Sequence, residues 1–115
     1  MNTNTIIPFS MISKKEDAKS REFKGVSFDV LAVGQQSMVT KMNYKIGDSV
    51  PLHSHPNEQS GYVISGMYRI KYQDFNEILV AGDSYSISAN IEHSWEVITG
   101  GEVIDVFTPL RQDYL

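Results

Sequence analysis

From Val26 onward, Gly, Asp and Asn recur often enough to cut the chain into short segments rich in Val, Ile, Tyr and Phe. This rhythm constrains the fold more than any other feature, because it is the pattern of strands and turns in an all-β domain. No segment offers a convincing helix. In Met38-Val39-Thr40-Lys41-Met42-Asn43-Tyr44 the apolar Met38, Met42 and Tyr44 fall on one face and Lys41 and Asn43 on the other, which is the period of a half-buried strand. Tyr68, Ile70 and Tyr72 alternate with Arg69 and Lys71 in the same way. Further strands are predicted over 61–65, 67–73, 78–81, 84–89, 94–98 and 102–108. The first two of these read as a hairpin closed at Ser65-Gly66, where glycine can take the positive φ of a tight turn. Evenly spaced short strands predict a closed barrel or a jelly roll, which removes exposed sheet edges. Residues 1–25 are less regular, with Pro8, a charged run from Lys14 to Lys24 and Gly25. They are expected to form an N-terminal arm or edge strand, which covers a sheet edge or crosses to a second subunit, with the barrel over 26–115.

The chain has 115 residues, room for one core and one site. Ten basic residues against fourteen acidic ones give a net charge of -4, and the basic residues are scattered, which argues against a nucleic-acid partner. The longest apolar runs, such as Ile78-Leu79-Val80-Ala81, fall far short of the ~20 residues of a membrane span. The Lys14-Lys15-Glu16-Asp17 cluster follows the weakly apolar N-terminal stretch, the reverse of a signal peptide. Without cysteine there is no disulfide to explain, and the simplest expectation is a cytoplasmic protein.

All three histidines fall in one pattern. His53-Ser54-His55 sets two imidazoles at i and i+2, the spacing at which strand side chains share a face, so two nitrogens can meet one ion. Gln59 has the same parity beyond the Pro56-Asn57 turn, and His93 is the remaining histidine. The plain alternatives are a solvated polar pair for the histidines and a barrel-wall amide bonded to backbone for Gln59. Glu58 is the other available carboxylate, but its parity is opposite.

Gly47, His53, His55, Gln59 and Gly66 resemble, slot by slot, the first motif of the cupin superfamily, and Gly82 with His93 resembles the second. Gln59 stands where glutamate is usual, and Ser88, Asn90 and Val97 stand where Pro, Gly and Asn are usual. The resemblance implies a single-domain double-stranded β-helix, a jelly-roll barrel, with His53, His55, Gln59 and His93 converging on a metal inside its mouth. Small cupins commonly pair, so a homodimer is the expected assembly. Three neutral imidazoles and a neutral amide would leave a +2 charge uncompensated, which favours anionic ligands and strengthens Lewis acidity. Nitrogen-rich ligation suits Zn, Ni, Cu, Fe or Mn over Ca or Mg.

On the last predicted strand Val103, Asp105 and Phe107 share one face, which places a carboxylate between apolar neighbours. An inward Asp is costly unless it is paired or working. The plain readings are a turn cap for Asp105, core for Phe107 and a surface charge for Arg111. The run from Asp105 to Leu115 looks like the ending of the pectin-degradation-type small cupins, and His53-Ser54-His55-Pro56 with Glu58-Gln59 is similar to their first motif. That resemblance implies an isomerase- or lyase-type sugar acid enzyme. Its substrates would be 4,5-unsaturated uronates, converted to linear keto forms, with Asp105, Phe107 and Arg111 as catalytic residues. Two other classes stay open: a metal-dependent dioxygenase, and a non-catalytic cupin that binds a small acid or sugar.

Overall fold

The computed structural model describes residues 11–115; the first ten residues of the expected arm lie outside the described residues. The alternation in the sequence becomes ten strands. They are β1 Lys19–Phe23, β2 Val26–Val33, β3 Met38–Tyr44, β4 Ser49–His53, β5 Glu58–Val63, β6 Met67–Tyr72, β7 Phe75–Val80, β8 Ser84–Ile87, β9 His93–Thr99 and β10 Gly101–Thr108. Two antiparallel sheets pack face to face as a jelly roll, in the orders β1-β2-β3-β10-β5-β8 and β4-β9-β6-β7. Among the described residues only Lys15–Asp17 and Gln112–Tyr114 are helical, as single 3₁₀ turns. No helix among them is long and apolar enough to cross a membrane.

The inner faces follow the period of two. In β3 the inward residues Met38, Thr40, Met42 and Tyr44 are all buried while those between are half-buried. The facing sheet supplies Val50, Tyr68, Ile70, Trp95 and Val97. Full burial of an aliphatic or aromatic side chain contributes roughly 1.5–3 kcal/mol, so two such inner faces account for the closure of the sandwich. At one end the rings of Tyr44 and Tyr68 stack on Trp95 at 5.6 and 5.0 Å, and Tyr85 tilts against it at 5.2 Å.

One expectation is corrected. The segments either side of Ser65-Gly66 are not hairpin partners: β5 pairs with β10 and β8, while β6 pairs with β9 and β7. The turn carries the chain from one sheet to the other. Its amides are taken by β10, since Ile64 and Ser65 both donate to the carbonyl of Glu102, and the Tyr68 hydroxyl caps the Ser65 carbonyl at 2.7 Å. Gly66 takes φ +98° as expected, but in the service of a corner. Within the charged run, β1 pairs with β2 along its whole length and forms one edge of the larger sheet.

Candidate metal centre

β4 ends at His53, β9 begins at His93, and the ladder between them sets these two residues opposite each other beyond a bulge that follows Val50. His55 lies just past β4, with its carbonyl held by the Asn90 amide at 2.8 Å. One nitrogen from each of the three rings lies within 4.8 Å of the others. Their Nδ1 atoms face away from this point, toward the carbonyl oxygens of Pro51 (2.8 Å), Asn57 (2.9 Å) and Ile91 (2.8 Å). A carbonyl only accepts, so each Nδ1 carries the proton and donates it, and each Nε2 keeps a free lone pair. Backbone that fixes the tautomer in this way is the usual outer support of metal-binding imidazoles.

Gln59, at the start of β5, brings its Oε1 to 3.1 Å from His55 Nε2. With the ring proton on Nδ1, that contact joins two acceptors. It fits a shared cation, because ligands each about 2.1 Å from one ion at near right angles stand about 3 Å apart. The donor set is thus neutral, three nitrogens and one oxygen, as a divalent transition metal prefers. Glu58, the alternative, is exposed on the outer face.

Burial acts on the histidines in the same direction. His93 has its pKa lowered to about 4, chiefly by desolvation, and desolvation likewise lowers His53 and His55, with the Arg111 charge adding to all three. Neutral imidazoles free to ligate are the result.

Asp105 is 1% exposed in the middle of β10, which rules out the turn-cap reading. Across the sheet it lies opposite Gly61, and Gly61 lies opposite Tyr85 on β8. A Cβ at position 61 would overlap both the Tyr85 ring and the Asp105 carboxylate, so the glycine is the gap through which they meet. The Tyr85 hydroxyl donates to Asp105 Oδ1 at 2.5 Å. Desolvation raises Asp105 to about 6, opposed by hydrogen bonds from Tyr85 and from the Gln59 amide and by the Arg111 charge. The Gln59 NH₂ turned to Asp105 leaves its oxygen for the histidine side. One carboxylate therefore orients the fourth candidate ligand.

Phe107 is core that borders the histidine cluster: it is 1% exposed, and its ring stands edge-on to His55 at 5.8 Å. Arg111 is no surface charge; it is 6% exposed and packs over the rings of Tyr114, Phe23 and Phe107 at 4.0, 5.0 and 5.3 Å. Asn57 ties the two halves of the site together. Its carbonyl receives His55, while its Nδ2 donates to the carbonyls of Pro109 and Leu110 at 2.6 and 3.2 Å, beside a cis Thr108-Pro109 bond. His53, Gln59, His93, Asp105, Phe107 and Arg111 all line one narrow cavity.

Sequence reasoning missed Tyr85, Asn57, Phe23 and Tyr114. A signal for Tyr85 was present, since Ser84-Tyr85-Ser86-Ile87 alternates and puts Tyr85 on the inward face with Ile87. Phe23 closes a strand with no alternation to mark it, and its ring reaches His53 at 5.9 Å.

A sequence model described as Cupin domain matches residues 40–107, a span that holds all four candidate ligands. No curated protein matches the chain. Among solved structures, the chain is similar to an RmlC-like cupin from Shewanella frigidimarina, with 26% identity, 93% of this chain and 97% of that one covered, and a TM-score of 0.85. It is also similar to KdgF from Halomonas sp., at 21% identity over 89% of this chain and 97% of that one, TM-score 0.80. A third likeness is to the oxalate decarboxylase of Bacillus subtilis, described with Mn(II) centres, at 22% identity and TM-score 0.76; it takes in 98% of this chain but only 32% of the decarboxylase. With the match extending over more than half of its residues and the jelly roll intact from β1 to β10, the protein belongs to the cupin family.

Proposed function

We propose that the protein is a metal-dependent enzyme that converts 4,5-unsaturated uronates to their linear keto forms. The observation that supports this most is the meeting, in one cavity, of a neutral ligand set with Asp105, Phe107 and Arg111. The motifs shared with the pectin-degradation-type cupins point the same way, while the likeness to KdgF is one of fold. His53, His55, Gln59 and His93 would hold a divalent transition metal, whose chemistry is that of a Lewis acid toward substrate oxygens.

The chain's own groups divide the rest of the work. Arg111 binds the carboxylate through its planar fork, which Lys cannot copy. Phe107 forms an apolar wall for the sugar ring. Asp105, raised to about 6, holds a proton for part of its time near neutral pH and can deliver it as the carbon–carbon double bond is lost. Tyr85 and Gln59 fix the direction in which that proton is held.

The test is the ultraviolet absorbance of the conjugated double bond in a 4,5-unsaturated galacturonate and in its alginate-derived counterpart. Metal-loaded protein should remove it faster than the spontaneous rate, and chelation should abolish the gain. No acceleration on either compound contradicts the proposal. Oxygen uptake with a diketone or flavonol would then favour the dioxygenase reading, and saturable binding without turnover the non-catalytic one.

A further inference from the structure

The guanidinium assigned above to a substrate carboxylate already has one. Arg111 Nε and Nη2 donate to Asp113 Oδ1 and Oδ2 at 3.3 and 2.7 Å, and Nη1 donates to the Tyr114 hydroxyl at 3.0 Å. Every nitrogen of the fork is thus engaged by the last residues of the chain. The cavity beside it offers only ≈ 30 Å³ to water, whereas pockets that enclose a small organic ligand measure roughly 300–1,000 Å³. A sugar acid cannot sit there while the tail stays as it is.

The tail is held unevenly. Asn57 binds the carbonyls of Pro109 and Leu110, upstream of Arg111, so the base of the tail is fixed to the histidine loop. Beyond Arg111, the 3₁₀ turn Gln112–Tyr114 is tied by the Arg111 contacts, by one bond from Arg21 Nε to the Tyr114 carbonyl at 3.2 Å, and by the Tyr114 ring against Phe23 and Phe28. Arg111 is 6% exposed, while its partner Asp113 is 56% exposed. The arginine belongs to the interior and the aspartate to the solvent.

We infer that Asp113 is an internal competitor for the substrate subsite: a carboxylate that occupies the Arg111 fork until a ligand carboxylate takes its place. The inference rests on the reading of Arg111 as the carboxylate-binding residue of the proposed reaction. Its logic is one of charge balance. A ligand that displaces Asp113 without bringing a carboxylate leaves a buried guanidinium unpaired, which is strongly unfavourable. An anionic ligand restores the same two-point hydrogen bonding, and Asp113, already largely in water, completes its hydration on release. The exchange is close to balanced for a sugar acid and uphill for a neutral sugar. The same contact that closes the cavity selects what can open it.

Binding of D-galacturonate and of D-galactose to the metal-loaded full chain, followed by titration calorimetry, tests this with two variants. Asp113→Asn keeps the shape and removes the competing charge, so its affinity for galacturonate should rise by about tenfold, the scale of one charged hydrogen-bonding contact. Asp113→Glu should return it toward the wild-type value, and galactose, which brings no carboxylate to Arg111, should bind far more weakly than galacturonate in all three proteins. Unchanged or weaker galacturonate binding by Asp113→Asn, absence of binding in both proteins, or galactose bound as tightly as galacturonate would each overturn the inference. Turnover of the unsaturated uronates, measured on the same samples, separates the two readings. Tighter galacturonate binding without turnover removes the proposed reaction and leaves the exchange, and turnover with unaltered affinity does the reverse.

Discussion

Along β9 the inward residues run His93, Trp95, Val97, and along β10 in the opposite chain direction they run Phe107, Asp105, Val103. Each strand thus passes from the mouth of the sandwich to its floor within three inward positions. At the floor the apolar and aromatic Val63, Val103 and Tyr68 are 0% exposed. At the mouth His55, His93, Asp105 and Arg111 are buried polar groups. Buried polar groups cost stability unless they are hydrogen-bonded, and each of these is bonded to backbone, side chain or both. The comparison teaches a division of labour: an apolar floor that stabilises the fold allows a mouth that gathers buried polar groups.

If that division holds, a change at the mouth should act on rate and a change at the floor on stability. The largest effect is expected for Asp105→Asn, which should cut the chemical step on unsaturated uronates by on the order of 10²–10⁴-fold at saturating metal. Asparagine offers one acceptor oxygen where Tyr85 and Gln59 supply two donors, so metal affinity should weaken as well, and the comparison must be made with the metal in excess. A variant with full turnover would remove Asp105 from the proton path.

One inward step above the floor, opposite Trp95, Ile70→Ala deletes a side chain that is 2% exposed on β6. Denaturant unfolding should show a loss of about 2–5 kcal/mol, while metal stoichiometry stays the same. Loss of metal in that variant would mean that floor and mouth are not separable.

The smallest effect concerns pH. Metal-free protein holds His53, His55 and His93 with pKa values below 6.5, His93 at about 4, so between pH 6.5 and 4 the unfolded chain binds more protons than the folded one. The stability tied to neutral histidines is fully present above 6.5 and is lost as pH falls through that window. Asp105 works the other way, since its folded value of about 6 lies above the ordinary 3.8 and favours the folded state as pH falls. Three groups outweigh one, so the melting temperature of metal-free protein should drop between pH 7 and 4.5. A rise over that range would mean that Asp105 dominates.

Much of this was legible in the sequence, and the reasons are local. The two-residue period marked β3 and β10 and gave His53, His55 and Gln59 one parity, while the resemblance to the cupin motifs joined His93 to them. What escaped depends on partners far along the chain. A glycine turn such as Ser65-Gly66 has the same chemistry whether it closes a hairpin or turns a corner between sheets. Nothing in Tyr85 itself says that Gly61 lies opposite and opens a path to Asp105. Nothing in the sequence singles out Asp113, because its hold on Arg111 exists only once Phe23, Phe107 and Tyr114 have buried the guanidinium.

The central claim is that the three imidazoles and Gln59 form a metal centre, and elemental analysis combined with metal titration tests it most directly. Protein made without a metal-affinity tag should take up one divalent transition-metal ion per chain, and His93→Ala should take up none while remaining folded. A wild-type protein that holds no transition metal in either measurement, or a His93→Ala variant with full occupancy, would contradict it.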